Sequence, residues 1–176
     1  KKRYLSKNNQ NVLRIKTISN IYPDAKILIP FRNPLEQSNS LLYQHLNFLN
    51  FSKKDKFISE YMSLIGHREF GPNYKPYFSD LMSFKNDNDP NHWLEQWYLI
   101  YENMFETHKN SSNIFFVCYE NLCNSKQYWD SLIEKINIKR KYTFTFIESL
   151  KRPSFRIDKS LSKKTANLYS KLNRLS

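Results

Sequence analysis

The chain has 176 residues, of which 28 are basic and 16 acidic, for a net charge of +12; 40% are hydrophobic and 16% aromatic. That is globular composition, and no apolar run approaches the ~20 residues that span a bilayer. With two glycines (Gly66, Gly71) and two cysteines (Cys118, Cys123), a dinucleotide fingerprint, a Walker A loop and a zinc ribbon are excluded, because each needs more of these residues close together.

Residues 11–22 read as a helix, with Val12, Ile15, Ile18 and Ile21 on one face. Tyr22-Pro23-Asp24-Ala25 is a turn, and Lys26 to Arg32 is a short apolar run of strand length. Asn33 as N-cap, Pro34 at the first helical position and Glu36 at the third open a helix that is predicted to run to about Leu49. Residues 55–66 carry Phe57, Ile58, Tyr61, Met62 and Ile65 at helical spacing. The stretch 66–91 holds both glycines and three prolines and reads as an irregular excursion. A long helix is expected at 92–109 on Trp93, Trp97, Tyr101, Met104, Phe105 and His108, then a buried strand from Asn113 to Tyr119. An amphipathic helix at 125–137, a basic loop at 151–160 and a helix at 161–175 complete the chain. Short apolar strands alternating with helices predict an α/β layer with a parallel sheet. Two strands are too few for a sheet covered on both faces, and the chain opens on Lys1-Lys2-Arg3 without methionine. A single domain over 1–176, incomplete at its N-terminus, is therefore expected.

Charge gathers at the ends. Residues 1–32 and 151–176 each carry eight basic groups and one acid, and the middle is near neutral. Two basic ends suggest either convergence on an anion or two solvated tails. No RNP-type aromatic motif, zinc finger or helix-turn-helix is visible, so a nucleic-acid partner is not expected.

The most informative stretch is Ile27 to Leu42, a strand that ends in Arg32 and turns at once into a capped helix. Free N–H groups and the positive dipole end of such a helix form an anion site, and Arg32 stands at the strand's carboxyl end, where α/β folds bind ligands. Ser40, two turns beyond the N-cap, shares its face. Together they offer a planar fork and a hydroxyl to a phosphate. An arginine paired with a neighbouring acid, beside an idle serine, fits the same spacing.

The segment Tyr22-Pro23-Asp24-Ala25-Lys26-Ile27, with Arg32-Asn33-Pro34 and Ser40-Leu41-Leu42, resembles the sulfotransferases that use 3′-phosphoadenosine 5′-phosphosulfate (PAPS). Leu5-Ser6-Lys7-Asn8-Asn9 is similar to a lysine-bearing element of that family. Phe116-Val117-Cys118-Tyr119-Glu120-Asn121-Leu122 resembles its "YEDL" strand end, and Ala166 to Leu172 its terminal helix. Gln44-His45 and His67-Arg68-Glu69-Phe70-Gly71 resemble a bacterial subgroup. The resemblance covers about residues 5–172 and implies a three-layer, P-loop-NTPase-like α/β fold whose first β-loop-α unit, with its phosphosulfate loop, is not in this chain.

It also implies roles. Arg32 and Ser40 would grip the 3′-phosphate of PAPS, the co-substrate, with no metal. Tyr119 would approach the adenine, and Arg156, in the basic loop with Lys151, Arg152 and Lys159, would complete the phosphate site. Lys7 would donate to the bridging oxygen as the sulfuryl group passes to a hydroxyl or amine. The place after the lysine, where some members carry a histidine base, holds Asn8; His45 and His67 are the other candidate bases. The acceptor is open: carbohydrate, lipid, peptide or small molecule. The bland readings stay beside these: a surface Lys7, core histidines, a core Tyr119, core Trp93 and Trp97, and a solvated Arg156. Both cysteines are expected as reduced thiols, and a cytoplasmic location is expected. The alternative function is a non-catalytic basic module that binds nucleotide or nucleic-acid phosphates.

Overall fold

The computed structural model describes residues 4–138 and 155–176. Two strands, β1 (Ile27–Phe31) and β2 (Ile114–Cys118), pair in parallel with Ile27 opposite Ile114 and Phe31 opposite Cys118. Seven α-helices accompany them among the described residues: α1 (Ile15–Ile21), α2 (Pro34–Lys54), α3 (Lys56–Leu64), α4 (Pro90–His108), α5 (Tyr119–Asn124), α6 (Lys126–Lys135) and α7 (Lys159–Leu175). The chain is thus α/β with a small parallel sheet, as the alternating pattern predicts.

Alternate residues of the strands point to opposite faces. Ile29, Phe31, Ile114, Phe116 and Cys118 share one face, and they join Trp97, Tyr101 and Met104 of α4, Leu168 and Leu172 of α7, and Ile15 of α1 in one core. On the other face Leu28 and Pro30 of β1 are exposed. Helix α4 lies between α2 and α7. Of its predicted stripe Trp93, Trp97, Tyr101, Met104 and His108 are buried, and Phe105 is half-buried. Helix α7 buries Leu161, Thr165, Leu168 and Leu172 at helical spacing, and Thr165 satisfies its hydroxyl on the Leu161 carbonyl.

Caps decide the boundaries. Asn33 accepts the Leu35 and Glu36 N–H groups, and Pro34 supplies the first helical φ. Helix α2 runs five residues past its predicted end at Leu49, because nothing before Asp55 stops it; Asp55 then caps α3. The predicted helix at 11–22 is split into a 3-10 turn over Asn9–Leu13 and α1. The turn begins where Asn8 accepts the Gln10 N–H.

Candidate functional site

The two strands end side by side, and the side chains leaving them meet there. Tyr101, buried in α4, donates its hydroxyl proton to the Pro30 carbonyl at 2.8 Å, which fixes the exit of β1. Burial pushes that phenol up to about 12. Arg32 follows. Its guanidinium lies 5.5 Å from the centre of the Tyr119 ring, at the first residue of α5, and one amino group reaches Glu36 at 3.3 Å. Tyr119 thus begins a short helix directly after β2 rather than closing the strand. Its hydroxyl is pushed above the ordinary phenol range, chiefly by a hydrogen bond with Cys123. The Arg32 Nε is buried without a hydrogen-bond partner among the described residues. An unsatisfied buried donor costs free energy, and an anion is the natural group to relieve it. Glu36 competes, but this pair is half in solvent and worth at most about 1 kcal/mol.

The helix N-terminus departs from expectation. Its first N–H groups are not free, because the Asn33 side chain takes those of Leu35 and Glu36. Glu120 accepts the N–H of Asn33 itself at 2.7 Å. What α2 offers an anion is its dipole and the Arg32 fork. Glu120 is the residue whose role the sequence did not reveal. Its second oxygen accepts from Tyr169 of α7 at 3.1 Å and from the Cys118 thiol at 3.3 Å, so one carboxylate ties the ends of both strands to α7. The only signal was an acid two residues past a buried strand. Burial raises the Cys118 thiol above its ordinary range, and both cysteines are free thiols.

Ser40 is half-buried two turns along α2. Three residues further, Tyr43 packs on Phe155, ring centres 6.0 Å apart. That contact brings Phe155 against α2. Asn91 holds the 155–158 segment from α4, donating to the Arg156 carbonyl at 3.5 Å and accepting the Asp158 N–H at 2.8 Å. Arg156 is exposed there. The sequence-distant basic end thus reaches the helix that carries Ser40. Lys151 and Arg152 lie outside the described residues.

The remaining candidates lie elsewhere. Lys7 is exposed on the segment before the 3-10 turn. Two residues on, Asn9 donates to Glu69 at 3.1 Å, and Glu69 lies 3.6 Å from His67 Nε2. His67 stacks on Phe48 of α2, about 22 Å along that helix from Asn33 at 1.5 Å per residue. It lines a cleft of about 330 Å³ with Ser63, Arg68, Asn73 and Lys75. The structure joins the Lys7 segment to His67, and no contact of either with Arg32 is present among the described residues.

His45 belongs to a third place. It is fully buried, its Nδ1 accepts the Gly71 N–H at 3.2 Å, and its ring packs between Tyr74 and Trp93. Asp87 stands 3.6 Å from its Nε2. Burial lowers its pKa against the opposing pull of Asp87, so the ring is neutral with Nδ1 as acceptor. Neighbouring groups fasten the excursion in the same way. His92 meets the Phe84 carbonyl and the Tyr74 hydroxyl, Glu95 accepts the Ser83 and Phe84 N–H groups, and Trp93 donates to the Asp87 carbonyl. His45 is therefore a fastening of the 66–89 stretch, closed to a substrate. Trp93 and Trp97 are core, each 1% exposed, and the indole of Trp97 donates to Gln37.

Compared with known proteins, the chain matches no family model, no curated protein and no solved structure.

Proposed function

We propose that the chain carries the nucleotide half-site of a sulfotransferase that moves a sulfuryl group from PAPS to a hydroxyl or amine acceptor. The observation that carries this reading is the Arg32 guanidinium. It leaves a strand end beside the dipole of α2, flanks the Tyr119 ring and has a buried, partnerless Nε. The 3′-phosphate would accept from Arg32 and Ser40, the adenine would pack toward Tyr119, and Arg156 would approach from the 155–158 segment. The resemblance matches residue by residue at Arg32 and Ser40, and by region at Arg156. The parallel pair β1–β2 would be part of a larger, three-layer P-loop-like sheet. Sulfuryl transfer needs both partners aligned and the bridging oxygen neutralised. Lys7 is the donor proposed for that oxygen. Of the two histidines His67, beside the cleft and Glu69, is the base proposed, because His45 is buried.

Calorimetric titration with adenosine 3′,5′-bisphosphate and with AMP tests the site. The bisphosphate is expected to bind at least about tenfold tighter, a difference of 1.4 kcal/mol, and Arg32→Ala is expected to erase the difference. Lys7→Ala is expected to leave that affinity unchanged. Equal affinity for both nucleotides in the parent chain would remove the 3′-phosphate assignment. Binding that falls steeply with salt and is spread over many lysines would favour a general phosphate-binding module instead.

A further inference from the structure

Helix α3 buries none of its residues. Phe57, Tyr61, Leu64 and the following Ile65 fall on one stripe, at i, i+4, i+7 and i+8, and are 66%, 52%, 87% and 54% exposed. Phe57 and Tyr61 stack on each other, 5.9 Å apart. An amphipathic helix normally turns such a stripe to the core. Here the inward side is taken by Ile58, Ser59 and Met62, all half-buried, and the larger apolar groups face out.

Cations bracket the stripe. Lys53 and Lys54 close α2 just before it, and Arg68 and Lys75 line the cleft just after it. The cleft and the stripe adjoin, since Ser63 of α3 is part of the cleft wall. The acids nearby are engaged: Asp55 caps α3, Glu60 lies 3.5 Å from Lys56, and Glu69 meets Asn9 and His67. Lys53, Lys54, Arg68 and Lys75 form no ion pair among the described residues.

From this juxtaposition we propose that α3 docks the protein onto a lipid surface bearing anionic headgroups. Phe57, Tyr61, Leu64 and Ile65 enter the interfacial layer, and Lys53, Lys54, Arg68 and Lys75 meet the headgroups. An exposed ridge of aromatic and aliphatic groups with cations at its ends matches the chemistry of a helix lying in the plane of a bilayer. Around the stripe Lys53, Lys54, Lys56, Arg68 and Lys75 outnumber Asp55, Glu60 and Glu69, which opposes a second copy on the same face and favours an anionic partner. Attachment is at the surface: among the described residues no helix is long and apolar enough to cross a membrane. The inference is independent of the nucleotide site.

Sedimentation of the full chain with vesicles tests it, using phosphatidylcholine alone and phosphatidylcholine mixed with phosphatidylglycerol. Any strongly cationic protein adheres somewhat to the mixed vesicles, so the deciding variant keeps the charge. Phe57→Ser with Leu64→Ser is expected to cut partitioning onto mixed vesicles by about tenfold or more, with an unchanged melting temperature because both side chains are exposed. Lys53→Gln with Lys54→Gln is expected to weaken binding as well. Phe57→Trp is expected to show blue-shifted emission on the mixed vesicles and quenching by brominated acyl chains. Equal partitioning of the serine variant and the parent chain would overturn the proposal and leave diffuse charge attraction. A concentration-dependent rise in mass that the serine variant abolishes would overturn it in favour of a second copy.

Discussion

The carboxyl ends of β1 and β2 and the pocket beneath the 66–89 stretch collect the same kinds of side chain, and they hold them differently. At the strand ends Arg32 is half-buried, its partner Glu36 is 42% exposed, and Arg156 is in solvent. These contacts can be exchanged for a ligand at little cost. Beneath the excursion His45, His92, Glu95 and Trp93 are buried, and the hydrogen bonds they make go mainly to backbone groups of the stretch they fasten. Residue type alone does not separate a site from a fastening; burial and the identity of the partner do.

The comparison breaks first at Trp93. Its ring packs on His45, Phe70 and Tyr74, and its indole N–H holds Asp87. Trp93→Ala is expected to cost about 3–5 kcal/mol in denaturant unfolding and to leave nucleotide selectivity intact in the folded fraction. Selectivity lost at full folding would mean that the two regions are one site.

Gly71 comes next. It has φ +78°, and a Cβ there would lie 3.2 Å from the Cβ of Phe48. Gly71→Ala is expected to cost about 1–2 kcal/mol from the left-handed backbone alone, with the contact adding to it. A thermal melt within error of the parent's would show that neither the left-handed backbone nor the Phe48 contact constrains position 71.

Acid sharpens the contrast. The pKa values of His45 and His108 are both lowered by burial. The unfolded chain therefore takes up protons first, near the ordinary value of 6.5. Stability is full above that pH and falls as pH drops toward the folded values. Protonation of His45 also sets a donor against the Gly71 N–H. Melting temperatures between pH 7.5 and 5 are expected to fall, and His45→Gln is expected to flatten the slope. The smallest effect belongs to Glu36→Gln, which frees Arg32. It is expected to tighten adenosine 3′,5′-bisphosphate by roughly 1.5- to 5-fold, the reach of an exposed pair.

What the sequence made legible was local. The Asn33-Pro34 start of α2 and the stripe of α4 depend on neighbours within a few turns. The six-residue α5 was hidden because it follows β2 without a capping side chain. The role of His45 was hidden because its partners, Gly71 and Asp87, are far along the chain. Glu120 was hidden for the same reason: it joins Asn33 to Tyr169. The approach of 155–158 to α2 rests on one ring contact, Phe155 with Tyr43, that no spacing rule announces.

The most direct measurement is a set of thermal melts on the parent chain, Arg32→Ala and His45→Gln, each with and without adenosine 3′,5′-bisphosphate. At 100 times its dissociation constant the ligand adds about 2.7 kcal/mol. Arg32→Ala is expected to melt with the parent when unliganded and to lose the ligand-induced rise. His45→Gln is expected to melt lower and to keep that rise. An Arg32→Ala chain still stabilised as strongly as the parent would contradict the account, because the nucleotide would then be held somewhere other than the end of β1.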